Sequence, residues 1–327
     1  MPDIITVGEA IIDFIPTLPG KGLADTPAFE KRPGGAPANV AVGVARLGGN
    51  AGFVGKFGQD PFGRFLLQTL AENRVDTAAA VITGEAKTGL AFVTLKENGE
   101  REFIFYREPC ADILLAKEEI HSGYIQETRI LHFGTVSLIA EPSRSATYHA
   151  VKLAREAGKT VSLDVNLREA LWPSLNQARK EITQALQWAH LVKVSEEELN
   201  FLVGPGVSLE EGATALLNLG PDLILVTLGA RGCYYKTKKS GRTIRGISIT
   251  PVDTTGAGDA FTAAMLTRLA DWGLGHPRQV TSLSPAILEE FCFFANIAGA
   301  LTCTKNGAIS ALPLRLEVEN RMGLKAK

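Results

Sequence analysis

The residues best equipped for chemistry lie in one stretch, Val252-Asp253-Thr254-Thr255-Gly256-Ala257-Gly258-Asp259-Ala260-Phe261. Asp259 delivers a carboxylate to the start of a predicted helix, because Phe261, Ala264, Met265 and Leu269 recur at helical spacing. Gly256 and Gly258 permit unusual dihedrals and leave backbone N–H groups uncovered over 256–259. Together with the positive end of the helix dipole, those groups make a cradle for an anion. A carboxylate beside such a cradle can take a proton from a hydroxyl while a phosphoryl group arrives. The same spacing also describes a plain turn followed by an Asp-capped helix.

The elements around this stretch alternate. Ile4 to Val7 reads as a short buried strand running into Gly8-Glu9-Ala10-Ile11-Ile12-Asp13. Asp13, just past it, can accept hydrogen bonds from two adjacent hydroxyls. Gly34-Gly35-Ala36-Pro37-Ala38-Asn39 opens a helix buried through Val40, Val44 and Leu47, with Pro37 in its first turn and Asn39 where its amide can face a ligand. Two β-rich runs, 88–95 and 101–106, flank Asn98-Gly99, a strong hairpin signal. With no helix of its own to pack on, this hairpin is expected to join 16–33 in a small projecting sheet, a candidate lid. From 129 onward strands and helices alternate, which argues for a mostly parallel sheet covered by helices. Functional groups should gather at the strands' C-terminal ends. Arg168, Glu198 and the turn Thr227-Leu228-Gly229-Ala230-Arg231-Gly232 fall there. Asn296 sits among small residues on a long helix over about 285–302.

Composition narrows the function. The 327 residues are 45% hydrophobic with a net charge of −1, so a sizeable core is available and nothing favours nucleic acid or an anionic membrane as partner. No apolar run is long enough to span a bilayer, no signal peptide is evident, and a cytoplasmic location is expected. The cysteines at 110, 233, 292 and 303 lack CxxC spacing and the five histidines are scattered, so neither disulfides nor a His/Cys metal site is expected. The P-loop pattern is absent, and a dinucleotide fingerprint fails because Phe261 stands where its third glycine belongs.

Taken together, Gly34-Gly35…Asn39 and Asp253-Thr254-Thr255-Gly256-Ala257-Gly258-Asp259 resemble the two signatures of the ribokinase-like (phosphofructokinase-B type) carbohydrate kinases, in order and over essentially the whole chain. The resemblance implies an α/β fold, a three-layer α/β/α sandwich around a mostly parallel sheet with a protruding β lid. Its expected division is a core of 1–12, 34–86 and 110–320 and a lid of 13–33 and 87–109. It implies ATP-dependent phosphorylation of a sugar hydroxyl, with Asp259 as base and the N–H groups of Gly256, Ala257, Gly258 and Asp259 as anion hole. Asp13, Gly34, Gly35, Asn39, Tyr106 and Arg107 match sugar-side positions; Thr227, Gly229, Gly232 and Asn296 match nucleotide-side ones. Arg168 or Lys193 is expected to neutralise phosphate charge. Asp253 and Thr255 match positions that hold a monovalent cation, K+, in many members. The family's Asn-x-x-Glu element, linked to Mg2+ and phosphate, appears as Ser195-Glu196-Glu197-Glu198, which keeps Glu198 and replaces the Asn.

Phe105-Tyr106-Arg107-x-Pro109-x-Ala111-Asp112, Asp164-Val165-Asn166-Leu167-Arg168 with Leu171-Trp172, and Lys193-Val194-Ser195 look like the fructokinase branch. Phosphorylation of D-fructose at its C6 hydroxyl is the function this implies. Ketodeoxygluconate kinases also carry arginines near 107 and 168, facing a substrate carboxylate, and a catalytically silent sugar-binding relative is the other alternative. A homodimer through the lid's apolar faces (Phe92, Phe103, Ile104, Phe105) is expected.

Overall fold

Runs such as Ile4-Ile5-Thr6-Val7 and Leu223-Ile224-Leu225-Val226 carry apolar side chains on both faces, which suits strands covered on both sides. A computed structural model describes residues 1–18, 20–95 and 101–323 and bears this out. The strands, in chain order, are β1 (Ile4–Val7), β2 (Ile11–Pro16), β3 (Phe29–Gly34), β4 (Ala51–Val54), β5 (Lys56–Gly58), β6 (Val81–Thr83), β7 (Leu90–Leu95), β8 (Arg101–Tyr106), β9 (Ile130–Gly134), β10 (Thr160–Asp164), β11 (Leu191–Ser195), β12 (Leu223–Thr227), β13 (Gly232–Lys236) and β14 (Gly241–Arg245). The helices are α1 (Ala36–Arg46), α2 (Pro61–Glu72), α3 (Ser122–Glu127), α4 (Ser143–Glu156), α5 (Leu175–Leu186), α6 (Glu196–Val203), α7 (Leu209–Leu217), α8 (Ala257–Asp271), α9 (Pro277–Thr281), α10 (Pro285–Thr302) and α11 (Arg315–Arg321).

The central sheet runs β14-β13-β12-β11-β10-β9-β1-β4. The six strands from β12 to β4 are parallel, and β13 and β14 continue the edge antiparallel. Two separate cores follow from strand alternation. Ile4 and Leu225 join Val44 of α1, Met265 of α8 and Phe291 of α10 on one face. Ile5 and Ile224 join Val151 of α4, Ile182 of α5 and Leu216 of α7 on the other. β1 is the switch point of the sheet, with β4 on one side and β9 on the other, so its C-terminal end opens into a crevice.

The second sheet runs β3-β2-β7-β8. Phe92 stacks on Phe14 at 4.7 Å and meets Phe29 and Tyr106 edge-on. The lid does not stand free of helices: Phe14 meets Phe62 of α2 edge-on, and the Lys31 ammonium lies 3.7 Å from the Phe65 ring centroid. The sheet begins at Ile11, so Asp13 lies inside a lid strand instead of just past a core strand. The Asn98-Gly99 turn lies outside the described residues, although the pairing of β7 with β8 is antiparallel as expected. β14 ends at Arg245, where Gly246 crosses over the β12–β13 turn; a Cβ there would lie 2.6 Å from the Ala230 carbonyl. Among the described residues no helix is long and apolar enough to cross a membrane.

Candidate active site

The crevice is built around the first turn of α8. Gly256, at φ 79°, turns the chain into the helix, and among the described residues no side chain caps that end. Small residues let α8 sit deep. A Cβ on Gly43 of α1 would lie 2.6 Å from the Ala263 Cβ, and one on Gly299 of α10 would lie 3.1 Å from the Ala257 carbonyl oxygen. Asp253 fastens the preceding loop: Oδ1 accepts from the Thr255 amide (2.9 Å) and hydroxyl (2.7 Å), and Oδ2 from the Gly307 amide (2.8 Å). One part of the expected cradle is spent locally, since the Ala257 amide donates to the Thr254 carbonyl at 3.3 Å. Gly258 and Asp259 remain the amides aimed along the helix axis.

Asp259, partly exposed on that turn, accepts from Asn39 Nδ2 at 2.7 Å through Oδ2. Burial and the Asp164 charge raise its pKa to about 6, against the Asn39 hydrogen bond and the charges of Lys193 and Arg168. Asp13 faces the same space; burial raises it to about 7, Arg168 opposes the rise and Asp259 adds to it. Gly34 is required here, because a Cβ would lie 2.1 Å from Asp13 Oδ2. Gly35, at φ 100°, passes close over Glu9, whose carboxylate accepts the Ala36 amide at 3.2 Å. Asp13, Gly34, Asn39 and Asp259 thus line one wall, and the exposed Arg168 projects its charge onto it.

Below the α8 turn lies a second cluster. Lys193 Nζ is 3.1 Å from Asp164 Oδ1, and a Cβ on Gly258 would lie 3.0 Å from that ammonium. Asp164 also accepts from the Asn166 amide (3.2 Å) and from Thr262 Oγ1 (3.3 Å). Burial lowers the Lys193 pKa, but Asp164 and Glu198 outweigh it and hold the ammonium above its ordinary value. Asp164 is the site residue that the sequence reading passed over. Its signal was present in Asp164-Val165-Asn166 at a strand's C-terminal end, where Asn166 takes the uncommon φ of 37°.

Other expected residues take different work. Both Glu198 oxygens accept backbone amides at 2.7 Å, from Ser195 and Leu167, so it anchors α6 to the loop carrying Arg168. Arg107 is 4% exposed and paired with Asp112, and Tyr106 is 61% exposed. Thr227 and Gly229 stand at the turn from β12 to β13, and a Cβ on Gly229 would meet open space. Gly232 serves the strand crossing, since a Cβ would lie 2.2 Å from the Ile244 carbonyl oxygen. Asn296 Nδ2 donates to the carbonyls of Ile244 (3.0 Å) and Arg245 (3.3 Å), tying β14 to α10.

Comparison with known proteins agrees with this architecture. Residues 1–315 match the family described as pfkB family carbohydrate kinase. Fructokinase-1 of Oryza sativa subsp. japonica is 48% identical over 315 residues, 96% of each chain. A solved fructokinase from Xylella fastidiosa with bound ATP superposes with a TM-score of 0.90 at 34% identity, covering 100% of both chains. Another from Vibrio cholerae O395, in a fructose, ADP and calcium ion bound form, gives 0.84 at 38% identity, covering 97% of this chain and 98% of that one. With a helix N-terminus, a buried lysine and a recessed aspartate at the mouth of such a fold, the chain belongs to the pfkB family of carbohydrate kinases and is a phosphotransferase with an alcohol group as acceptor.

Proposed function

We propose that this kinase phosphorylates D-fructose on its C6 hydroxyl with ATP. The observation that carries the reading is the Asn39–Asp259 hydrogen bond at an uncapped helix N-terminus opposite Asp13. Asn39 holds one Asp259 oxygen and leaves the other to accept the proton. The sugar lies against Asp13, Gly34, Gly35 and Asn39. The γ-phosphate rests on the Gly258 and Asp259 amides, with the Lys193 ammonium beneath and Arg168 closing from the side. Charge stabilisation on a loose transition state does most of the work, so a carboxylate of pKa about 6 is basic enough. The similarity to fructokinases supports the choice of sugar.

Thr227 and Gly229 are the proposed nucleotide-side contacts, with Gly232 and Asn296 shaping the wall behind them. Among the described residues no group of three acidic, histidine or cysteine side chains is arranged to hold a metal. Mg2+ would arrive on the nucleotide, with Glu198 and Asp164 as the carboxylates nearest to hold it, and would neutralise charge on the transferring phosphate. A K+ ion beside the 253–255 loop would neutralise the surroundings of the α8 turn; both Asp253 oxygens already hold loop donors, so it would share them. The proposed compartment is the cytoplasm. A homodimer through the lid edge is also proposed, on the exposed Ile104 and Tyr106 of β8; a monomer in light scattering would end it.

The deciding experiment is a coupled ADP-release assay with Mg-ATP, comparing D-fructose with 2-keto-3-deoxygluconate, ribose and glucose. Turnover with fructose is expected, and preference for the keto acid would replace the reading. The burial of Arg107 against Asp112 weighs against the keto acid, which needs a second free guanidinium for its carboxylate.

A further inference from the structure

Four strand ends join the lid to the core, and three of them meet at one buried cluster. Glu9 lies between β1 and β2, Arg107 directly follows β8, and Gly89 directly precedes β7. Asp112, on the core side in the turn Ala111–Leu114, pairs with the Arg107 guanidinium and accepts from Cys110 Sγ at 2.9 Å. A Cβ on Gly89 would lie 3.2 Å from Asp112 Oδ1 and 3.1 Å from Ile11 Cγ2, so the missing side chain lets the β7 and β2 ends close over that carboxylate. Glu9, Arg107 and Asp112 are 4, 4 and 7% exposed. Glu9 Oε1 holds the Ala36 amide at the start of α1, next to the Gly34-Gly35 pair. Its Oε2 and the Nε of Arg107 are both buried without a partner among the described residues. The guanidinium thus pairs with Asp112 and acts on the Glu9 charge, with one donor and one acceptor unspent, and buried polar groups left unspent in a folded chain call for an explanation.

We infer that Glu9, Arg107 and Asp112 form a charge-paired hinge that fixes how the lid hangs over the crevice, and that Arg107 serves the reaction as a positioning residue through this cluster instead of touching the sugar. Lid movement brings Arg107 Nε onto Glu9 Oε2, and Glu9 passes the setting through the Ala36 amide to the Gly34-Gly35 wall. The directions of charge agree. The cations acting on Asp259 are Lys193 and Arg168, and Arg168 acts on Asp13, whereas Arg107 acts with Asp112, Cys110 and Glu9.

The inference rests on the proposed fructose phosphorylation, and wild-type turnover in the same assay scores that reading separately. The test compares wild type, Arg107→Lys, Asp112→Asn and Glu9→Gln. Each is assayed for KM of fructose and of ATP, and for fructose-induced hydrogen-exchange protection of the β8 amides. Asp112→Asn and Arg107→Lys are each expected to raise the fructose KM about 10-fold or more, since small misplacements at a distance carry such losses. The ATP KM should stay within about 2-fold, and fructose-induced protection of β8 should be lost. Glu9→Gln keeps the acceptor for Ala36 and removes only the charge, so it should fold and shift the fructose KM in the same direction. A fructose KM and lid protection unchanged in Asp112→Asn while Arg107→Lys alone is impaired would make Arg107 a direct sugar ligand and overturn the hinge. Should Asp112→Asn not fold, wild-type values in Glu9→Gln would overturn it equally.

Discussion

Asp259, opposite Asp13 in the crevice, accepts one amide donor, from Asn39, whereas Asp164 and Glu198, beneath the Gly258 amide, are closed around a lysine and three backbone amides. Burial raises the carboxylate pKa in both places where a shift is resolved on the lid side, to about 7 and about 6. In the lower cluster Lys193 opposes the rise of Glu198, and Asp164 has an ammonium at 3.1 Å. The difference separates two kinds of chemistry. Under-bonded acids with raised pKa can exchange a proton with a ligand. Acids locked to a lysine and to backbone set a fixed charge under an incoming phosphate. Removing a member of the first group should therefore cost rate, and removing a member of the second should cost stability as well.

The largest expected effect is on rate. Asp259→Asn keeps an acceptor near Asn39 but abolishes the base, and kcat should fall on the order of 10²–10⁴-fold with little change in melting temperature. Near-normal turnover in the coupled assay would break the assignment of proton transfer to the lid-side pair. Lys193→Met comes next. It leaves Asp164 and Glu198 buried and uncompensated, so a stability loss of about 3–5 kcal/mol is expected, read by chemical denaturation, together with a raised KM for ATP. A variant as stable as wild type would show that the lower cluster is not held by its ammonium.

Asp13 sharpens the comparison through pH. Its carboxylate stands near 3.8 when free and about 7 in the folded chain, so its contribution to stability is complete below the lower value and is lost as pH rises through the higher one. Activity runs the other way, because the carboxylates must be ionised to bind hydroxyls and accept a proton. The profile of kcat/KM for sugar should climb between about pH 6 and 7, following the raised values of Asp259 and Asp13. Asp13→Asn should flatten the upper part of that climb, raise the sugar KM, and melt a few degrees above wild type at pH 8. A variant that melts lower at pH 8 would mean that the Asp13 charge is compensated, like those of the lower cluster.

How far all this could be read from sequence depends on where each partner comes from. The parallel sheet was legible because Ile4–Val7, Ile130–Gly134 and Leu223–Thr227 bury both faces and so show as mostly apolar runs, broken only by Thr6 and His132. Asp259 was legible because its glycines and its helix are adjacent in the chain. Asp164 was not, since its partners Lys193 and Thr262 stand 29 and 98 residues away. Arg107 looked like a free guanidinium after a strand, and the pairing that buries it depends on Asp112 folding back across the chain. The Ala257 amide looked free for the same kind of reason, because only the loop's closure brings the Thr254 carbonyl to it.

The smallest perturbation tests whether the two clusters are coupled. Thr262 stands three residues beyond Asp259 on α8, on the same face of the helix, and its hydroxyl reaches Asp164 Oδ2 at a long 3.3 Å. Thr262→Val should remove one weak hydrogen bond, cost about 0.5–1.5 kcal/mol of stability, and leave Lys193 to hold Asp164. Because the Asp164 charge is what raises Asp259 most after burial, any swing of Asp164 would show in the acid limb of the pH–rate profile. An unmoved limb with kcat within about 3-fold of wild type would mean that Lys193 alone sets the lower charge. A displaced limb would mean that α8 carries both clusters as one unit, with the base tuned from below by a carboxylate that never meets the sugar.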